Sequence, residues 1–224
     1  MTHQTLIDEL SQEANPSRRK TLIKEGADDN ALGIPLGVLR KKAKEIGINH
    51  EVGMGLWDSG IIDAQLLAVM LIDPSQISLD KAFKMLEEAP IETLLDDLIF
   101  RLLVNIKDYD QFKAKLENYT NDFEGKVYWA LIVNEIAQSK KIDPELAHYV
   151  LTQCKEGLAS APEKTQWMMN RALSELGFRH GEYTQTCLDL GEELAVFKEM
   201  KVAPGCTSAY APDWINAVLR RKKK

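Results

Sequence analysis

Between Ile91 and Leu103 the apolar residues Ile91, Leu94, Leu95, Leu98, Leu102 and Leu103 recur at helical spacing. That pattern lines one face of an α-helix and neither face of a strand. The same period returns along the chain, and strand-like alternation is nearly absent. Ala64 to Ile72 is rich in Leu, Ala and Met, and Asp73-Pro74 ends it. Val127 to Ala137 is apolar almost all round, which predicts burial on several sides. Met169, Ala172, Leu173 and Leu176 mark a further core helix, with Gly177 read as its stop. In Ile34–Ile46, Pro35 suits a first helical turn and Leu36, Leu39 and Ala43 form the inner face.

Turn signals fall between these segments at short intervals: Asp73-Pro74-Ser75, Ala89-Pro90, Asp143-Pro144 and Ala161-Pro162. The strongest core helices centre near Leu67, Leu98, Ile132 and Leu173. Their separation of roughly 30 to 40 residues is the period of helix-pair repeats. Such pairs bury their inner faces against one another and stack into a curve with one concave surface. The expectation is an all-α, right-handed stack of antiparallel helix pairs. No Pro/Gly/Ser linker divides it, so residues 1–224 read as a single domain, and the basic tail 220–224 reads as frayed.

The chain carries 28 Lys and Arg against 34 Asp and Glu, a net charge of −6. That sign is opposite to the usual nucleic-acid binder, but the distribution is uneven. Arg18, Arg19, Lys20 and Lys24 form one basic cluster, and Arg40, Lys41, Lys42 and Lys44 form a second. Arg40, Lys41 and Lys44 project opposite Leu36, Leu39 and Ala43, so they can meet phosphates without disturbing the core. No apolar run reaches the roughly 18 residues of a membrane span, and the N-terminus lacks a signal-peptide pattern. A cytoplasmic, nucleoid-associated, monomeric protein is expected. Cys154, Cys187 and Cys206 form no metal-ligand pattern and read as buried thiols, so neither metal nor cofactor is expected.

Several segments resemble the AlkD-like DNA alkylation repair family. Gly33-Ile34-Pro35-Leu36-Gly37-Val38-Leu39-Arg40-Lys41-Lys42-Ala43-Lys44-Glu45-Ile46-Gly47 is similar to its early helix. Leu56-Trp57-Asp58-Ser59-Gly60 followed by Ala64-Gln65-Leu66-Leu67-Ala68 is similar to the next stretch. Met169-Asn170-Arg171-Ala172-Leu173-Ser174-Glu175-Leu176-Gly177 and Cys206 to Ile215 match two later elements. The resemblance implies a HEAT-like repeat protein whose concave face grips duplex DNA, alkylated or branched. It also implies excision of bases alkylated at ring nitrogens, with no metal or organic cofactor.

The resemblance places the catalytic aspartate at Asp97, with Asp96 as the second choice. A carboxylate there stabilises the positive charge that grows on the sugar as the glycosidic bond breaks. The family's tryptophan one turn earlier falls on Thr93, and a second falls near Arg171, so both aromatics are missing. Trp167, one turn before Arg171, is a partial substitute, and Lys126 takes the place of an arginine beside the carboxylate. The implied DNA-binding set is Arg40, Lys41, Lys44, Lys126, Arg171 and Trp167. The loss of aromatic walls leaves two alternatives open: a non-catalytic DNA-binding paralogue, or a protein-interaction scaffold.

The same residues also have plain structural readings. Asp97 and Arg101 are placed for an ion pair along one helix, and Trp167 and Arg171 for a stack. Trp57 reads as packing between helices, Trp129 as core, and Trp214 as a staple for the terminal segment.

Overall fold

Short polar side chains open many of the helices in this computed structural model, which describes residues 2–222. The Thr2 hydroxyl accepts the Thr5 amide at the start of α1 (His3–Ser11). Asn15 accepts two amides at the start of α2 (Pro16–Glu25). After α3 (Leu36–Ile46), Asn49 caps α4 (His50–Asp58) through the Val52 amide. After α5 (Ile62–Leu71), Ser78 caps α6 (Leu79–Glu87). Each such bond satisfies an amide that has no partner within its helix. A short α7 (Glu92–Asp97) runs directly into a wide π turn, Leu98–Leu102. Past α8 (Tyr109–Leu116) come α9 (Asp122–Gln138), α10 (Pro144–Gly157), α11 (Glu163–Arg179), α12 (Thr184–Leu194) and α13 (Ala211–Lys222). Among the described residues there is no strand.

The chain divides into two compact units, the first ending at Phe112 and the second beginning at Lys113. In the first, α5 is the buried centre: α3 and α4 pack on it, and α7 with its π turn also meets it. Leu66 and Leu67 are wholly buried there, as are Leu94, Leu98, Ile99, Leu102 and Leu103. Each such side chain withdrawn from water contributes about 1.5–3 kcal/mol. In the second unit, α9 lies against α11 along most of their length, and α13 closes over α11 and α12. Trp129 is core, as its setting predicts, and Trp57 is buried with its indole N–H donating to Glu88 at 2.7 Å.

Four details differ from the sequence reading. The third helix begins at Leu36 rather than Ile34, because the Ile34 amide donates to Asp63 and is held outside the helix. The eleventh does not stop at Gly177 but continues to Arg179. A Cβ at residue 177 would meet Ile215 at 2.6 Å and Cys187 at 2.9 Å, so this glycine serves a crossing, not a terminus. Cys206 is exposed, while Cys154 and Cys187 are buried with their thiols raised, the latter to about 12, by loss of hydration. Arg220 to Lys222 are the last turn of α13, not a frayed tail. Lys222 donates to the Phe178 carbonyl at 2.8 Å, and Arg221 donates to the Thr207 hydroxyl at 3.0 Å. Lys223 and Lys224 lie outside the described residues.

Candidate nucleic-acid interface

The first unit gathers its functional side chains through one buried carboxylate. Asp63, fully buried on α5, accepts the amides of Leu32, Gly33 and Ile34 at 2.7, 3.1 and 2.6 Å. These bonds fix the segment that leads into α3 and so set the direction of its basic face. Arg19 adds to this anchoring. Its guanidinium donates to the carbonyls of Ala31, at 2.8 Å, and of Asp29. The first basic cluster is therefore partly structural.

The second cluster divides. Lys42 pairs with Glu9 at 2.9 Å, a hydrogen bond that raises its pKa above the usual value. Lys41 is exposed and lies 4.0 Å from Glu45. Arg40 and Lys44 instead line a groove of about 440 Å³ whose walls also include Ile48, Met70 and Pro74. The third cation on that groove is Arg101, which belongs to the π turn and lies far away in sequence. Among the described residues that line the groove, none is acidic.

Arg101 connects the groove to the candidate carboxylate. Its Nε donates to Asp97 Oδ1 at 2.9 Å, the ion pair that the spacing predicts. Asp97 is about one-fifth exposed, and its Oδ2 has no hydrogen-bond partner. One oxygen is thus held and oriented by Arg101, and the other is enclosed by the protein without a hydrogen bond. The π turn widens the helix immediately after Asp97, with the Leu103 amide reaching back to the Leu98 carbonyl. Such one-turn expansions re-aim side chains and recur at functional sites. At Thr93, one turn before Asp97, the hydroxyl donates to Glu25 at 2.6 Å, and Glu25 in turn lies 3.8 Å from Arg18. Where the resemblance implies an aromatic wall, this chain has a polar network. Asp58 is drawn off by Lys81 at 3.5 Å and is no part of the groove.

The second unit brings together three other expected residues, and one that the sequence reading missed. Lys126 on α9 is buried. Burial, reinforced by the neighbouring charges of Lys164 and Arg171, lowers its pKa from 10.5 to about 8. Lys164, Trp167 and Arg171 succeed one another at helical spacing on α11. Lys164 could have been found from that spacing, three residues before Trp167 and seven before Arg171. Trp167 is 39% exposed, and its ring meets Phe197 nearly edge-on, with centroids 5.5 Å apart. Arg171 lies 3.8 Å from Glu175, which also pairs with Arg179.

Asp122 fixes the start of α11 beside these cations. Its carboxylate accepts the amides of Thr165 and Lys164 at 2.7 and 3.1 Å and the Thr165 hydroxyl at 2.8 Å. Burial works against its ionisation, but those hydrogen bonds outweigh burial and hold its pKa below 3.8. Gly125 lets the two helices meet. A Cβ there would collide with the Thr165 hydroxyl and lie 2.9 Å from the Tyr119 ring.

Each unit thus presents cations that can bind phosphate oxygens, and the first adds a partly exposed carboxylate oriented by Arg101. Among the described residues no three His, Cys, Asp or Glu side chains group to hold a metal ion. Among them, too, no helix is long and apolar enough to cross a membrane. The family model for DNA alkylation repair enzymes matches residues 6–215. One similar solved structure is described as belonging to a new family of proteins related to the HEAT-like repeat DNA glycosylases with affinity for branched DNA structures. It aligns with a TM-score of 0.83 at 19% identity, covering 99% of this chain and 95% of that one. The likeness shows a HEAT-like repeat helical fold. No curated protein matches the chain.

Proposed function

Because the chain belongs to the DNA alkylation repair enzyme family, we propose that it binds DNA through these cationic surfaces and acts there on N-alkylated purines. The observation that carries the reading is the Arg40–Lys44–Arg101 groove, in which one of the three cations is bonded to Asp97. Phosphates would sit against Arg40 and Lys44, and the sugar of the damaged nucleotide would lie near Asp97.

An N-alkylated purine is cationic and already a good leaving group. Breaking its glycosidic bond leaves positive charge on the sugar, which the partly exposed Asp97 carboxylate can stabilise while Arg101 orients it. Water then completes the hydrolysis at the same carbon. In the second unit, Lys164 and Arg171 would neutralise further phosphates, with the buried Lys126 adding positive charge beneath them, and the exposed Trp167 face would meet a base or sugar.

The test is base release from duplex DNA carrying N-methylated purines. Wild-type protein is expected to release the base, and Asp97→Asn to lose release by a factor of about 10²–10³, the usual scale for one transition-state charge contact. Equal release by both proteins would remove Asp97 from the chemistry.

A second reading, a DNA-binding paralogue that does not cut, is favoured by Thr93 and its Glu25 partner in place of the aromatic wall. It predicts salt-sensitive DNA binding with no base release by the wild type.

A further inference from the structure

Ile48 is 65% exposed, the most exposed large apolar side chain among the described residues. It is nonetheless held on a rigid turn. Gly47 adopts φ 72° after the last turn of α3, a conformation that suits glycine. On the other side, the Asn49 amide donates to the Leu71 carbonyl at 2.8 Å, and the Asn49 side chain caps α4. The backbone is therefore fixed on both flanks of a side chain that contributes little to the core.

Exposure of this kind costs solubility, and the turn nevertheless holds the side chain in place. The surroundings indicate what it meets. Ile48 lines the same groove as Arg40, Lys44 and Arg101. An exposed apolar residue on a groove that also carries phosphate-seeking cations is an arrangement by which proteins enter a base stack. The cations hold the backbone on either side, and the apolar group covers the base faces laid bare where the stack parts. Intact duplex resists such entry, because a base step must be opened. At a branch point the stack is already broken, so the same insertion costs less there.

We propose that Ile48 is a wedge that enters the base stack of DNA at a branch or fork and makes this protein favour such junctions over plain duplex. The proposal rests on the DNA-binding reading above; the similar solved structure is described as having affinity for branched DNA, and what is added here is the side chain that would select such DNA.

The experiment uses a forked DNA and a matched duplex, each carrying 2-aminopurine at the corresponding position, with the full-length protein. The wild type is expected to bind the fork about tenfold more tightly and to raise 2-aminopurine fluorescence there several-fold, as the probe unstacks. Ile48→Ala is expected to bind the two DNAs about equally and give no rise, with duplex affinity changed by less than about twofold because the phosphate contacts remain. Ile48→Leu is expected to keep both the preference and the signal. Thermal unfolding of the variants confirms that the fold is retained. An Ile48→Ala protein that keeps the preference and the fluorescence rise would overturn the wedge. Wild-type protein that binds both DNAs equally without a fluorescence change would overturn it while leaving DNA binding intact. Wild-type protein that binds neither DNA at low salt would overturn the DNA-binding reading itself, and the wedge with it.

Discussion

Asp63 and Ile34, twenty-nine residues apart, are joined by a 2.6 Å hydrogen bond from the Ile34 amide to the buried carboxylate. The Leu32 and Gly33 amides share the same side chain. Three charge-assisted bonds in a dry setting make this a strong tether. Asp63→Asn keeps the shape but turns an N–H₂ group toward amides that need an acceptor. The expected loss is about 2–4 kcal/mol of folding stability, read from urea denaturation. A variant as stable as wild type would show that the tether is dispensable.

Arg40 and Lys44 point into the groove, whereas Lys41 lies beside Glu45. Arg40→Ala combined with Lys44→Ala is therefore expected to flatten the dependence of log K on log salt for duplex DNA by about 1–2. Lys41→Ala is expected to change the slope much less. Fluorescence anisotropy titrations across a salt series measure both.

Lys126 titrates near 8, so the folded chain gives up its proton there while the unfolded chain keeps it to 10.5. Within that window the unfolded state binds more protons, and folding stability rises with pH. Phosphate binding acts in the opposite direction, because it favours the charged ammonium. Affinity for DNA is accordingly expected to fall as pH rises through about 8. Lys126→Arg, whose guanidinium stays charged, is expected to bind with little pH dependence over the same range.

Asp122 has the opposite linkage. Its pKa is depressed in the folded state, so the stability it contributes is complete above 3.8 and disappears as pH falls through the lower folded value. Asp122→Asn is expected to be less stable than wild type at neutral pH, with the gap closing in acid below 3.8. Thermal melts across that range decide it. A gap that stays constant into strong acid would show that the carboxylate charge is not what holds the start of α11.

The helices were legible because burial imposes a period on the chain: Leu66, Leu67, Leu94, Leu98 and Leu173 all sit where their spacing puts them, inside. The π turn was not, since Leu98-Ile99-Phe100-Arg101-Leu102 reads equally well as ordinary helix and the extra residue per turn leaves no mark in composition. The Asp97–Arg101 pair is local and could be read off the spacing. The meeting of Arg101 with Arg40 and Lys44 is tertiary, and nothing in either segment announces it. Likewise, the Trp167 ring finds Phe197, thirty residues on, because the chain folds back after α12, a contact that no helical period encodes.

Residue 125 leaves no room for a side chain where α9 meets α11. There the Gly125 backbone rests directly against the Thr165 side chain, which Asp122 holds in place, and against the Tyr119 ring. Lys126 and the cations of α11 are mounted on the two helices that meet there. A side chain added at residue 125 would push the two helices apart and so alter the spacing of those cations.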